Sequence, residues 1–209
     1  PRKRADWTVG MQPEVNILGK TRQPVDVLWF VGDYASFHSR MQGATRAFAK
    51  VLNALGIKFG ILGPEENSDG DSQRLAGERG LFEMMAQKNG QLFKKYKFNE
   101  IITTDPHAYN AIKNEYPALG IKYPLRHYTQ FLVERLDQLK PMLKNEIKAK
   151  VAYHDPCYLG RVNGGFDEPR ALLAALLSIE ARHGRDRNFK NAPRSLDLDL
   201  LLYDGLVMH

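Results

Sequence analysis

Three carboxylates stand just past three short apolar runs, each in a segment rich in groups that bind or move charge. The segments are Gly32-Asp33-Tyr34-Ala35-Ser36-Phe37, Glu66-Asn67-Ser68-Asp69-Gly70-Asp71 and Thr104-Asp105-Pro106-His107-Ala108-Tyr109-Asn110. A fourth, His154-Asp155-Pro156-Cys157-Tyr158-Leu159-Gly160-Arg161, holds the single cysteine of the chain. Asp33, Asp69 and Asp105 beside His107 are residue types able to bind a hard divalent cation or to take protons. The same residues also serve as ordinary loop and cap residues, and the pair Asp105-Pro106 is explained by a helix N-cap followed by proline at the first helical position. His107 and His154 read equally as hydrogen-bonded loop residues, and Cys157 as a buried or orphan thiol.

A second constellation lies near the carboxyl end. In Leu196-Asp197-Leu198-Asp199-Leu200 the alternation puts both carboxylates on one face of a strand, close enough to share a cation. Set against Arg185, Arg187 and Arg194, that is an arrangement for magnesium and polyphosphate: the metal bridges phosphate oxygens while the arginines neutralise the rest.

The elements that must position these groups alternate in type. Val25 to Gly32 is a nearly continuous apolar run ending in glycine, the pattern of a strand buried on both faces of a parallel sheet. Ala44, Ala47, Phe48, Val51, Leu52 and Leu55 recur at helical spacing before Gly56. Strands are expected at 59–62, 100–104, 125–128 and 150–154, and helices at 75–96, 105–116 and 130–139. Strands alternating with helices predict an α/β fold around a mainly parallel sheet with right-handed crossovers, followed by a C-terminal helix-strand fragment. In such sheets ligands sit beyond the carboxyl ends of the strands, where the four segments fall. Residues 1–24 are polar and basic without a convincing period and read as an arm or linker.

Bulk properties narrow the function class. The 209 residues are 43% hydrophobic, enough to bury a core. No apolar run approaches the roughly 20 residues that cross a bilayer, and Pro1-Arg2-Lys3-Arg4 has neither an initiator methionine nor a signal-peptide stretch. The expectation is a cytoplasmic piece of something longer, placed at the cytoplasmic face of a membrane complex if membrane-associated. One cysteine excludes an internal disulfide framework and, by itself, a cage of three or four thiolates. The formal charge of +6 gathers at 2–22 and 182–194 without an aromatic-rich basic stripe, so no nucleic-acid partner is expected.

The four segments together, with Asn163-Gly164 and Asp167-Glu168-Pro169-Arg170 behind the last, resemble the CCG cysteine-rich family over residues 25–170. That family includes heterodisulfide reductase subunits and the iron–sulfur subunits of lactate, glycolate and glycerol-3-phosphate oxidation systems. The resemblance implies a cysteine after the glycine of the first strand, Cys-Cys-Gly after the second and Cys-x-x-Cys around Pro-His after the third. By spacing, those positions hold Asp33, then Ser68 and Asp69 before Gly70, then Asp105 and Ala108. Thiolates hold iron–sulfur clusters, and a hard carboxylate substitutes poorly for soft sulfur. The expectation is a degenerate first site, with Cys157 left to bind a cluster only if ligands come from elsewhere. The resemblance further implies partner subunits containing flavin or iron–sulfur centres and transfer of electrons toward a quinone or disulfide-type acceptor.

Residues 172–207 resemble 6-hydroxymethyl-7,8-dihydropterin pyrophosphokinase, carried by Glu180-Ala181-Arg182-His183-Gly184-Arg185 and by Lys190 to Leu201. This implies magnesium on Asp197 and Asp199 and ATP phosphates on Arg185, Arg187 and Arg194. The family's pterin-binding half is absent, and an isolated helix and strand cannot position two substrates and two metal ions. Residues 171–209 are therefore expected to be a partial segment, and its junction with the first signature near Arg170 marks the sequence as a composite. The favoured reading is a subunit or fragment of a heterodisulfide reductase-like iron–sulfur oxidoreductase with its first cluster site lost. The rivals are a pterin pyrophosphokinase and a cluster-free scaffold subunit.

Overall fold

In a computed structural model of the chain, the structure describes residues 2–143 and 153–182. Four strands, β1 (Val27–Phe30), β2 (Phe59–Ile61), β3 (Glu100–Thr103) and β4 (Leu125–His127), form one all-parallel sheet in the order β2-β1-β3-β4. Around it lie nine helices among the described residues: α1 (Leu18–Thr21), α2 (Asp33–Phe37), α3 (Ser39–Ala54), α4 (Asp71–Leu75), α5 (Arg79–Lys95), α6 (Pro106–Asn110), α7 (Tyr128–Val133), α8 (Leu136–Leu139) and α9 (Asp167–Arg182). This is the expected α/β architecture.

The apolar run at β1 is buried on both faces because the sheet is covered twice. Val27, Trp29 and Val31 point into one core with Phe48 and Leu52 of α3 and Phe131 of α7, whereas Leu28 and Phe30 enter a second core with Phe82 and Phe93 of α5. Trp29 carries the first core: Phe48 packs edge-on at 4.9 Å between ring centroids and Trp7 lies at 5.4 Å. Fully burying side chains of this size stabilises by about 1.5–3 kcal/mol each.

Residues 2–24, expected as an arm or linker, are instead part of the fold. Ala5, Trp7, Met11, Val15 and Ile17 are buried in the first core, and Ile17 bridges to Ile61 beside β2. Leu18 covers Gly60, where a Cβ would fall 2.7 Å from Leu18 Cδ2. The polar composition concealed this because Arg2–Thr8 is a 3-10 segment, whose buried positions follow no α-helical period.

Several boundaries differ from the expectations. The helix predicted over 75–96 is broken into α4 and α5 by a turn at Gly77, and the one predicted over 105–116 leaves α geometry after Asn110, continuing as a wide turn and then a 3-10 turn to Leu119. The helix predicted over 130–139 is α7 plus α8. Of the strand expected over 150–154, residues 150–152 lie outside the described residues, and Tyr153 and His154 are irregular.

Candidate functional site

The strand order reverses direction between β1 and β3, so a crevice opens where the chain turns outward from their carboxyl ends. Gly32 follows β1 at φ +84° and lies against Asp105, which follows β3: a Cβ at position 32 would fall 2.9 Å from Asp105 Oδ2. Asp105 caps α6, its Oδ1 accepting from the His107 and Ala108 amides at 2.8 and 3.3 Å. The second loop folds in beside them, Asp69 Oδ1 accepting from the Asp71 amide at 2.7 Å.

A cavity of about 410 Å³ results. Asp33, Ser68, Asp69, Thr104, Asp105 and His107 line its polar side; Met41, Ala44 and Phe48 of α3, with Tyr128 of α7, form an apolar wall. The structure thus brings together four of the five positions expected from the first cysteine motif. Ala108 is buried and is not part of the lining. Cys157 is exposed at the start of the turn Cys157–Val162 and does not line the cavity; its neighbour Tyr158 packs on the His107 ring at 4.4 Å. Asp197, Asp199, Arg185, Arg187 and Arg194 lie outside the described residues.

Beneath the cavity runs a charge network that no sequence pattern announced. Glu66 is buried and accepts from the Val31 and Gly32 amides at 3.1 and 2.9 Å and from Arg4 Nη1 at 3.0 Å. Arg4, itself buried, also donates to Asp33. Burial pushes the Glu66 carboxyl up to about 7 despite Arg4 and the two amides. The available signal was Glu66 itself, a carboxylate in the second loop; Arg4 gave none, since its sequence surroundings are those of a solvated tail.

The remaining carboxylates divide sharply. Burial, then the adjacent Asp105 carboxylate, push Asp69 up to about 7. Asp105 is also raised, chiefly by burial, against the pull of the two amides it caps. Burial acts upward on Asp71 too, but hydrogen bonds from His107 Nδ1 at 2.8 Å and from Arg74 prevail and hold its carboxyl below the usual range. That same bond to Asp71 raises the His107 imidazole, against partial burial. The cavity therefore offers proton-binding groups near neutrality.

An iron–sulfur cluster does not fit this cavity. Every side chain lining it is oxygen-, nitrogen- or carbon-tipped except the Met41 thioether, and no thiolate reaches it. Among the described residues, no group of three or more His, Cys, Asp or Glu is placed to hold a metal ion.

Comparison with known proteins agrees with this geometry. The family described as a cysteine-rich domain, CCG, matches residues 27–113, and 7,8-dihydro-6-hydroxymethylpterin-pyrophosphokinase, HPPK, matches residues 125–209. The chain is 38% identical over 168 residues to the "Probable iron-sulfur-binding oxidoreductase FadF" of Bacillus subtilis, covering 80% of this chain and 24% of that protein. It is 37% identical over 174 residues to the "EtfAB:quinone oxidoreductase" of Syntrophomonas wolfei, covering 82% and 24%. It is 31% identical over 185 residues to a subunit of the dihydromethanophenazine:CoB--CoM heterodisulfide reductase of Methanosarcina mazei, covering 86% and 43%. The chain thus spans about a quarter of the first two relatives and under half of the third. No solved structure matches it. Similarity covering 80% of the chain runs past residue 125, so the pyrophosphokinase match begins inside the span shared with the iron–sulfur relatives. It begins at β4, which pairs with β3 in the same sheet, well before the 172–207 expected from sequence. Among the described residues no helix is long and apolar enough to cross a membrane, and one relative, from Chromohalobacter salexigens, is called a "Probable membrane-anchored ferredoxin". The chain resembles the CCG cysteine-rich domain family of iron–sulfur oxidoreductase subunits over residues 27–113, and the pterin pyrophosphokinase family over residues 125–209.

Proposed function

We propose that this chain is a subunit or fragment of a heterodisulfide reductase-like iron–sulfur oxidoreductase, working within an electron-transfer complex, in which the first cluster site has been lost. The observation that carries this reading is the chemistry of the switch-point cavity: the motif positions Asp33, Ser68, Asp69 and Asp105 converge there, and none supplies sulfur. A domain that keeps the fold without these ligands depends on partners to relay electrons. The relatives' names favour such partners, since they describe oxidoreductases acting between electron carriers and quinone or heterodisulfide. We place the chain in the cytoplasm or at the cytoplasmic face of a membrane complex, with flavin- or iron–sulfur-containing subunits beside it and no nucleic-acid partner.

Residues 25–170 form the CCG-like unit in this reading, and 171–209 a partial pyrophosphokinase-like segment. Cys157 is exposed, so it can join a cluster only by sharing ligands from another chain or segment. Iron and acid-labile sulfide analysis of the chain purified with its native partners, with an absorption spectrum, tests the assignment. Iron and sulfide assigned to this chain and lost in Cys157→Ser support a shared cluster. Their absence from the chain within an iron-bearing complex supports the cluster-free scaffold. A complex without redox-active partners contradicts both.

The match over residues 125–209 supports a second reading, a pyrophosphokinase using magnesium on Asp197 and Asp199 and ATP on Arg185, Arg187 and Arg194. Magnesium-dependent ATP binding abolished by Asp197→Asn would establish it, and absence of such binding would remove it.

A further inference from the structure

We propose that the switch-point cavity binds a small organic ammonium ion, its charged head on Asp69 and Asp105 and its apolar body against Met41, Ala44 and Phe48. This rests on the reading that no cluster occupies the cavity.

Charge favours such a ligand. Cations near the cavity are already engaged: Arg4 with Asp33 and Glu66, Arg74 with Asp71 and Glu115, His107 with Asp71. Among the described residues neither Asp69 nor Asp105 has an ion-pair partner. Two carboxylates withdrawn from water without a counter-charge either take up protons or attract a cation.

Unmet hydrogen bonding favours it as well. Asp69 is 6% exposed and lines the cavity, and its Oδ2 has no hydrogen-bond partner among the described residues. Thr104 Oγ1, also on the lining residues, is buried without a partner. A ligand with several N–H donors answers both: an ammonium head carries three donors and no acceptor.

Shape selects an organic cation over a bare one. A cavity of about 410 Å³ with one apolar wall is of the size that holds a small organic molecule. A bare metal ion has no use for that wall, and the described acidic and imidazole groups are not placed to ligate one. The charged and titratable groups facing Asp69 are Asp33, Asp71, Asp105 and His107, with the Tyr116 hydroxyl on its carbonyl; Arg4, Glu66 and Arg74 lie beyond them.

Calorimetric titration of the full chain with benzylammonium, the neutral isostere benzyl alcohol and magnesium chloride tests the proposal. Benzylammonium is expected to bind at least about tenfold tighter than the alcohol, more tightly at about pH 8 than at about pH 5, because the head competes with protons. Asp69→Asn and Asp105→Asn, each confirmed folded by circular dichroism, should each lose about tenfold or more, while the exposed Glu83→Gln should lose nothing. Equal affinity for the alcohol, retention in both Asp variants, displacement by magnesium, or no binding at the higher pH would each overturn the proposal. Metal analysis of the same sample separates the two levels: iron and sulfide bound in the cavity would instead remove the cluster-free reading beneath it.

Discussion

The Asp105 carboxylate rests against the Cα of Gly32, joining the first residues beyond β1 to the first residues beyond β3. Both halves of this contact are specific. Gly32 holds φ +84°, a conformation other residues adopt only with strain, and the space a Cβ would need is taken by Oδ2. Gly32→Ala is therefore expected to destabilise the chain by about 1–3 kcal/mol in urea unfolding. Gly32→Ala combined with Asp105→Ala should recover part of that loss, leaving the backbone component; a strictly additive pair would show that the contact contributes nothing.

The carboxylates of the cavity and the network beneath it make stability depend on pH in an unusual direction. Asp69 moves from an ordinary 3.8 up to about 7 in the fold, and Glu66 from 4.5 to about 7, both chiefly through burial. Folding thus takes up protons in the window between these values, so stability is highest at its acidic end and falls as pH rises toward about 7. Asp69→Asn removes its share of that fall, raising stability at pH 8 relative to the native chain by on the order of 2–4 kcal/mol. Urea unfolding of both proteins between about pH 4 and about pH 8 checks this; parallel curves would show that Asp69 is not shifted.

The Arg4–Glu66 pair predicts a large single-residue effect. Glu66→Ala leaves the Arg4 guanidinium and the Val31 and Gly32 amides without their acceptor, in a buried setting. The expected cost is about 3–5 kcal/mol. Glu66→Gln retains one acceptor and should cost clearly less, as measured by thermal unfolding at neutral pH.

His107 reports on its carboxylate neighbour. Its imidazole titrates above the ordinary 6.5 because Asp71 accepts its hydrogen bond. Asp71→Asn should bring the titration back toward 6.5, followed by ring-proton NMR. The ring is about half exposed, so the stability change that accompanies this is small.

The amino-terminal segment is expected to behave as core. Trp7 is fully buried against Trp29, and Trp7→Ala should cost about 3–5 kcal/mol in urea unfolding. A cost within a few tenths of a kcal/mol would return residues 2–24 to the role of an arm.

How much of this could be read from residues alone follows from the physics of each element. The strand at Val27–Phe30 was plain because burial on both faces demands a continuous apolar run, and the cap at Asp105-Pro106 because it is local chemistry. The convergence of Asp33, Ser68, Asp69 and Asp105 followed from parallel topology, which sends every strand's carboxyl end to the same edge. Arg4 and Glu66 stayed hidden because a buried charge pair sixty-two positions apart leaves no local pattern. The apolar wall was read only as helix core: Phe48 serves the Trp29 packing and the cavity at once. Gly77 broke the predicted 75–96 helix because a left-handed glycine outweighs helical spacing on either side.

Everything proposed for the cavity depends on the fold persisting around a site that no longer binds a cluster. Anaerobic reconstitution of the full chain, without partners, with iron and sulfide tests this most directly, read by absorption and by metal content after desalting. A folded chain retaining neither iron nor sulfide is expected. Stoichiometric iron and sulfide that survive Cys157→Ser but vanish in Asp69→Asn would place a cluster in the cavity and contradict it.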